Sequence, residues 1–474
     1  MPARHSRRCW PPRPCTTSFP SWNSPRPGTV APDRVETAVL SVVIPTYNDA
    51  HCLELTLRSL AGQTLPAELF EVIVVKDGRL SGYEGIERHG PGLDLRVETL
   101  PQRRGRSGAR NAGIALASGA TVLFLDSDCY ADPQLLARHH AFHAERTGPH
   151  VLLGNRHEID WPHLALLLRD EPIPPDLLAA ARHQDIKFAG LDPAEIAGYM
   201  QTPWLFAHSN NASLPRDLLT AVGGFNEEFG KRWGWEDLEL FYRVYQHLDR
   251  HAEAFEYDLG AVSYHLLQHR DQNKYYQEMF ENRPVLRRLH PNIDWEFQSM
   301  RSSPEVSTKV RYYRAVIEQC VKAGTGRLAP VWPWLARKLP STGQILLIGT
   351  GTGEVPVPQD ALTFDYQAPP GSGNYHLVGV NIPAGGGALD RVVSVDFWRC
   401  LQWYDLCDFL HEATRAAAQV LLVHTAGAEV PHDAMRTPAE IDYLIRALAP
   451  AFQVTVDHAG SGITGITVRR RPAG

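Results

Sequence analysis

The sequence predicts an α/β fold: a doubly wound, mainly parallel sheet followed by a smaller Rossmann-like α/β domain. Three observations carry this. Short runs of β-branched and large apolar residues alternate with helical stretches of 10 to 15 residues, as connected βαβ units require. The acidic triplet Asp126-Ser127-Asp128 stands directly behind the apolar run Thr121-Val122-Leu123-Phe124-Leu125, where open α/β sheets present ligand sites. Beyond about residue 300 the composition shifts, and the strand-helix alternation starts afresh at ILLIGTGTGE.

The first strand is LSVVIP, from Leu40, and Asp49 is placed to cap a helix through AHCLELTLRSLAG. A strand FEVIVV then ends at Lys76-Asp77-Gly78, and LRVETL is shorter. A helix near SGARNAGIALASG leads into ATVLFL, so the acidic triplet follows the fourth strand. Behind it, Asp132-Pro133 is a cap and first-turn pair for ADPQLLARHHAFHAER. Residues 160–200 hold two short amphipathic pieces separated by EPIPPD and GLDPAE, an excursion over one sheet edge. Residues 201–270 are aromatic-rich and end in the helix WEDLELFYRVYQHL and a strand closing at Ser263-Tyr264-His265. PEVSTKVRYYRAVIEQCVKAG reads as one amphipathic helix and LAPVWPWLARKLPSTG as a linker. The expected organisation is an N-terminal arm over 1–37, the first domain over 38–300, helix and linker over 301–340, and the second domain over 341–474.

The chain has 474 residues, 43% hydrophobic and 21% charged, with a formal net charge of -6, the profile of a multidomain globular protein. That charge gives no cue for nucleic acid. Of 47 basic residues only 7 are Lys, which reflects genome composition more than binding. No apolar stretch approaches the roughly 18 residues that span a bilayer. The Arg- and Pro-rich start lacks the apolar core of a secretory signal and reads as a disordered, mildly basic arm. The seven cysteines are scattered without a CxxC pair, so a reducing, cytoplasmic setting is expected.

Several residues carry chemistry. Two carboxylates in the turn after the fourth strand can converge on a hard divalent cation shared with a phosphate; the competing reading is a turn satisfying its own amides. Pro45 and Tyr47 follow the first strand, where Pro fixes φ and Tyr can stack on a planar ligand. Asp77 lies at the same sheet edge and can accept from a base imide or a ribose hydroxyl. The run Arg103 to Gly113 opens a helix whose N-terminus and guanidinium groups, Arg110 among them, favour a pyrophosphate. In Trp233-Gly234-Trp235-Glu236-Asp237, indole faces suit sugar C–H faces and carboxylates accept hydroxyl protons, although acids opening a helix also suit its dipole. His265 is a candidate for completing a cation site.

VVIPTYN, VVKDG, GARNAGIALASG, LDSD and WGWED followed by a His, in this order over residues 38–275, resemble the family 2 glycosyltransferases with the GT-A fold. The resemblance implies that Pro45, Tyr47 and Asp77 hold a nucleoside, uridine in the first instance, with Arg110 supporting the diphosphate. It implies Mn2+ or Mg2+ at Asp128 and His265, with Asp126 near the ribose or metal. Asp237 would be the catalytic base, with Glu236, Trp235 and Trp233 positioning the acceptor. One departure is that Lys76 stands where the family usually has a second acid. The implied activity is inverting, metal-dependent transfer of a hexose or N-acetylhexosamine from a UDP-sugar to an acceptor hydroxyl on a glycan, lipid-linked sugar, natural product or peptide. A homo-oligomer is compatible with this reading. Residues 340–474 resemble a class I methyltransferase domain, shortened and Pro-interrupted, in which Asp365 would take the ribose of S-adenosylmethionine. The rival functions are a bifunctional glycosyltransferase and methyltransferase, or a non-catalytic sugar-nucleotide-binding protein.

Overall fold

The computed structural model describes residues 40–174, 176–177, 192–269, 271–298, 303–340, 343–431, 438–460 and 462–471. The expected N-terminal arm and much of the stretch between residues 175 and 191 fall outside these. The chain divides into two compact units, one of residues up to Leu286 with 303–307, the other of residues 287–298 and those from Thr308 onward.

The first unit is built on eight strands: β1 (Leu40–Thr46), β2 (Phe70–Lys76), β3 (Leu95–Thr99), β4 (Thr121–Leu125), β5 (Cys129–Ala131), β6 (Val151–Glu158), β7 (Asn211–Pro215) and β8 (Phe255–His265). They lie in the order β3-β2-β1-β4-β7-β6-β8-β5. The first four are mutually parallel, as expected, and β6 runs parallel to β8. Strands β7 and β5 are antiparallel to their neighbours, so the sheet is mixed beyond β4. Leu40, Val42, Val43 and Ile44 are all buried, with no alternation, because β1 lies in the middle of the sheet and both its faces are covered. Its Pro45 lies beyond the last β4 partner, Val43, so its missing N–H leaves no gap in that ladder.

The chain steps outward from β1 to β2 and β3, then returns to the other side of β1 for β4. The direction of winding reverses between β1 and β4, and a crevice opens at their carboxyl ends. The loop after β1 and the triplet Asp126-Ser127-Asp128 border it. The helix Gly105–Leu116 covers β1 so closely that a Cβ on Gly113 would meet Val43 Cγ1 at 2.3 Å. Contrary to the expected Asp132-Pro133 start, the helix after β5 runs Leu135–Ala144 with Gln134 at its N-cap. Asp132 instead makes a turn, its Oδ1 accepting the Gln134 N–H at 3.1 Å.

The second unit holds β9 (Ile345–Ile348), β10 (Leu362–Phe364), β11 (Leu389–Val395), β12 (Ala417–Thr425), β13 (Phe452–Ala459) and β14 (Ile463–Arg470), ordered β10-β9-β11-β12-β14-β13. Four strands are parallel, and β14 is antiparallel to β12 and β13. This is the smaller α/β domain expected. Its extent differs from expectation at the Pro-rich stretch, which is not a linker. Leu328, Val331, Trp334 and Leu335 are buried against Ile345, Val393, Leu421 and Ile463. Pro333 supports this by opening the short helix Trp332–Leu335, which turns both Trp334 and Leu335 inward. Upstream residues also belong to this unit, because Glu296 accepts the backbone N–H groups of Val378 at 2.7 Å and Gly379 at 2.6 Å.

Trp334 packs where a Cβ on Gly465 would meet its ring at 2.6 Å. Trp334→Ala is therefore expected to lower the unfolding free energy by about 3–5 kcal/mol, the usual cost of deleting a core aromatic. Urea denaturation followed by fluorescence checks this, and a loss below about 1 kcal/mol would restore the linker reading.

Candidate active site

The site begins with one buried cation. Arg110 lies in the helix Gly105–Leu116 and its side chain is 3% exposed. Its Nη2 donates to Asp126 Oδ1 at 2.9 Å, while Nη1 stands 3.6 Å from Glu236 Oε1 and 3.5 Å from Asp237 Oδ1. Burial alone would lower the guanidinium pKa, yet Asp237, Asp126 and Glu236 outweigh it and hold it above its ordinary value. The guanidinium thus joins the two acidic blocks that the sequence places far apart. Only Nη2 makes a hydrogen bond, to Asp126, while Nη1 stands among the acids without one.

Local backbone brings the second block there. Gly234 (φ 101°) and Trp235 (φ 77°) both have left-handed backbone, sharply reversing the chain into the helix Glu236–His247. A left-handed Trp is strained, and such strain collects at functional sites. Glu236 and Asp237 then occupy the first turn, where a helix favours acids. They differ in access. The Glu236 side chain is 6% exposed against 17% for Asp237. Burial, then Asp237, push the Glu236 pKa up, opposed by Arg106 and Arg110. Asp237 accepts from Ser209 Oγ at 2.7 Å and from the Ser209 N–H at 3.3 Å, with His208 Nδ1 at 3.8 Å. Asp237 is thus the more exposed of the pair, and Glu236 the more buried, each close to Arg110.

The tryptophans also divide. Trp235 is 8% exposed and donates its indole N–H to the Met279 carbonyl at 2.8 Å, so it is a packing residue and not the acceptor platform expected. Trp233 is half-buried against Tyr275, ring centroids 5.3 Å apart.

On the donor side, Tyr47 is 41% exposed with the Arg103 guanidinium 4.1 Å from its ring centroid, a stacking surface at the crevice rim. Asp77 is buried and caps the neighbouring helix: its oxygens accept the N–H groups of Arg104 at 2.6 Å and Gly105 at 2.9 Å. Gly105 is needed at that point, since φ is 85° and a Cβ would lie 2.1 Å from the Gly230 carbonyl oxygen. Asp77 thus fixes the helix that carries Arg110, and a base or ribose would have to share it with two amides.

Asp49, expected to cap a helix, makes no side-chain cap. Its carboxylate instead accepts from the Tyr47 N–H at 3.1 Å, the Tyr83 hydroxyl at 3.0 Å, Thr46 Oγ1 and Ser127 Oγ. The loop after β1 is thereby tied to the acidic turn.

Asp128 and His265 meet, with Nε2 and Oδ2 3.1 Å apart. Two donors bound at right angles to one ion at about 2.1 Å would stand about 3.0 Å apart, so the pair fits adjacent positions on a divalent cation. Asp126, two residues before Asp128, gives one oxygen, Oδ1, to Arg110. Among the described residues no group of three or more His, Cys, Asp or Glu side chains is arranged for a metal ion, and of the expected trio the Asp128–His265 pair is the one brought into contact. Sequence reasoning missed Glu158, whose Oε2 lies 2.6 Å from His265 Nδ1, and Ser209. Only the strand pairing reveals the first, and Ser209 precedes β7 without any motif.

In the second unit, Asp365 is buried. Its Oδ2 accepts from the Thr352 N–H and hydroxyl at 2.8 and 2.7 Å, and its Oδ1 from the Gln367 N–H at 2.9 Å. Tyr366, next to Asp365 in the chain, is buried with Phe397, their ring centroids 5.3 Å apart.

Residues 41–190 match the family model described as Glycosyl transferase family 2. The match includes Pro45, Tyr47, Asp77, Arg110, Asp126 and Asp128; the Trp233–Asp237 block and His265 lie beyond it. The chain is 36% identical over 220 residues to validoxylamine A glucosyltransferase of Streptomyces hygroscopicus subsp. jinggangensis, covering 44% of this chain and 52% of the relative. It is 30% identical over 243 residues to chondroitin synthase of Escherichia coli, covering 48% of this chain and 34% of that protein. Among solved structures, S. aureus TarS 1-349 in complex with UDP-GlcNAc aligns at 18% identity and a TM-score of 0.37, covering 56% of this chain and 69% of that one. The chain spans about half the length of the first of these relatives.

Removing the Arg110 charge would leave three carboxylates crowded without a counterion. Arg110→Met is expected to cost about 3–5 kcal/mol in urea denaturation, the range for breaking a buried ion pair. A cost below about 1 kcal/mol would show that the guanidinium does not hold the acids together.

Proposed function

We propose that the protein is an inverting glycosyltransferase that moves a hexose or N-acetylhexosamine from a UDP-sugar to an acceptor hydroxyl. The observation that carries this is the shared guanidinium: Arg110 brings Asp126, at the carboxyl end of β4, and Asp237, in the Trp-flanked block, to one place. Support comes from the family 2 match and from relatives named as glycosyltransferases. The assignment of uridine follows the resemblance of the β1 loop and the VVKDG step.

In this reading Tyr47 and Arg103 offer the stacking surface for the base. Asp128 and His265 would hold Mn2+ or Mg2+, which when bound supplies positive charge for the leaving diphosphate. Asp237 accepts the proton of the acceptor hydroxyl, and Ser209 fixes its orientation through two hydrogen bonds. Attack from the Asp237 side, opposite the leaving group, inverts the anomeric carbon. Trp233 and Tyr275 line the acceptor approach. No helix among the described residues is long and apolar enough to cross a membrane.

Asp237→Asn is expected to lower transfer by at least about 100-fold, the scale of losing a general base, with UDP binding by calorimetry within about twofold. Near-normal turnover would remove Asp237 from the base role. A panel of nucleotide sugars with Mn2+ should release UDP from at least one UDP-sugar; release only from a non-uridine donor would overturn the base assignment.

A further inference from the structure

Glu158 ends β6, and the parallel β6–β8 register sets it opposite His265, the last residue of β8. On the other side of β8, His265 pairs with Cys129 of β5, which places Asp128 at the same end. The Leu266 N–H donates to the Asp128 carbonyl at 2.7 Å, closing this corner of the sheet. Three strands therefore line up Glu158, His265 and Asp128 in space, from positions far apart in the chain. Nδ1 of His265 stands 2.6 Å from Glu158 Oε2, and Nε2 stands 3.1 Å from Asp128 Oδ2. Glu158 is itself anchored, its Oε1 lying 2.5 Å from Arg156 Nη2.

We propose that Glu158 is a positioning residue for the cation site: it acts through His265 and is not itself a ligand. An imidazole whose Nδ1–H donates to a fixed carboxylate cannot flip its ring, and its Nε2 lone pair stays aimed at one point. The Glu158 oxygen occupies the far side of the ring from Asp128, so both cannot bind the same ion through adjacent positions. Arg156 keeps that carboxylate from swinging toward the ion. This inference rests on the metal-dependent reading above and assigns a role to a residue which that reading does not use.

The test is Mn2+ binding to the full chain, followed by electron paramagnetic resonance, with the metal alone and again with UDP. Glu158→Gln is expected to weaken Mn2+ about 10- to 100-fold, the range for lost outer-shell partners, while the urea midpoint stays near wild type. In a His265→Ala background the same change should have little further effect, because Glu158 acts only through that ring. Equal Mn2+ affinity in wild type and Glu158→Gln overturns this inference and leaves the metal reading standing. An equal loss from Glu158→Gln with and without His265 also overturns it, by showing a general structural role. Failure of the wild-type protein to bind Mn2+ under either condition overturns the metal reading and this inference with it.

Discussion

A single desolvated guanidinium organises the first unit. Arg110 cannot remain buried without counter-charges, because an unpaired cation in a protein interior costs several kcal/mol. The three acids around it could not crowd together without Arg110. Each side therefore enforces the other, and the result is that residues from β4 and from the helix Glu236–His247 are held at one point. The helix bearing Arg110 is in turn fixed by Asp77 at its N-terminus and by the close fit of Gly113 on Val43. Of the three acids, only Asp126 and Asp237 retain exposure, so the buried partner Glu236 completes the charge balance and the others meet the crevice.

Two groups of residues with different chemistry enter the proposed reaction. One has an exposed Tyr47 beneath Arg103 and the Asp128–His265 pair; the other has Asp237 with its Ser209 bonds and Trp233 near Tyr275. Displacement at a sugar carbon needs positive charge on the leaving side and a proton acceptor on the attacking side. In the proposed reaction the Asp128–His265 pair and Asp237 take these two parts. The loop after β1 and the acidic turn are linked by Asp49, so the stacking surface and the cation pair are not independent.

Much of this was legible in the sequence because the relevant signals are local. Buried β-branched runs marked β1, β2 and β4, and the acidic triplet behind β4 followed from the apolar run ahead of it. The acids of the WGWED block were legible as a unit. What the sequence did not disclose depends on tertiary partners. Asp77 and Asp49 look like turn and cap residues, yet their carboxylates reach amides and hydroxyls on other elements. Trp235 looks like a sugar platform but is buried, because a left-handed turn rotates it inward to Met279. Glu158 could not be singled out, since its neighbour His265 is set by pairing between β6 and β8. The prolines around Trp334 read as a linker because composition does not show that the flanking Trp and Leu side chains fill a core.

The central claim is that the two acidic blocks form one reaction site on a common buried cation. A crystal structure of the protein with Mn2+ and UDP measures this most directly. The account predicts the ion against Asp128 and His265, the diphosphate on it, and the Asp237 carboxylate facing the space where the anomeric carbon would sit. An ion bound elsewhere, or a nucleotide on a face that Asp237 does not reach, would contradict it.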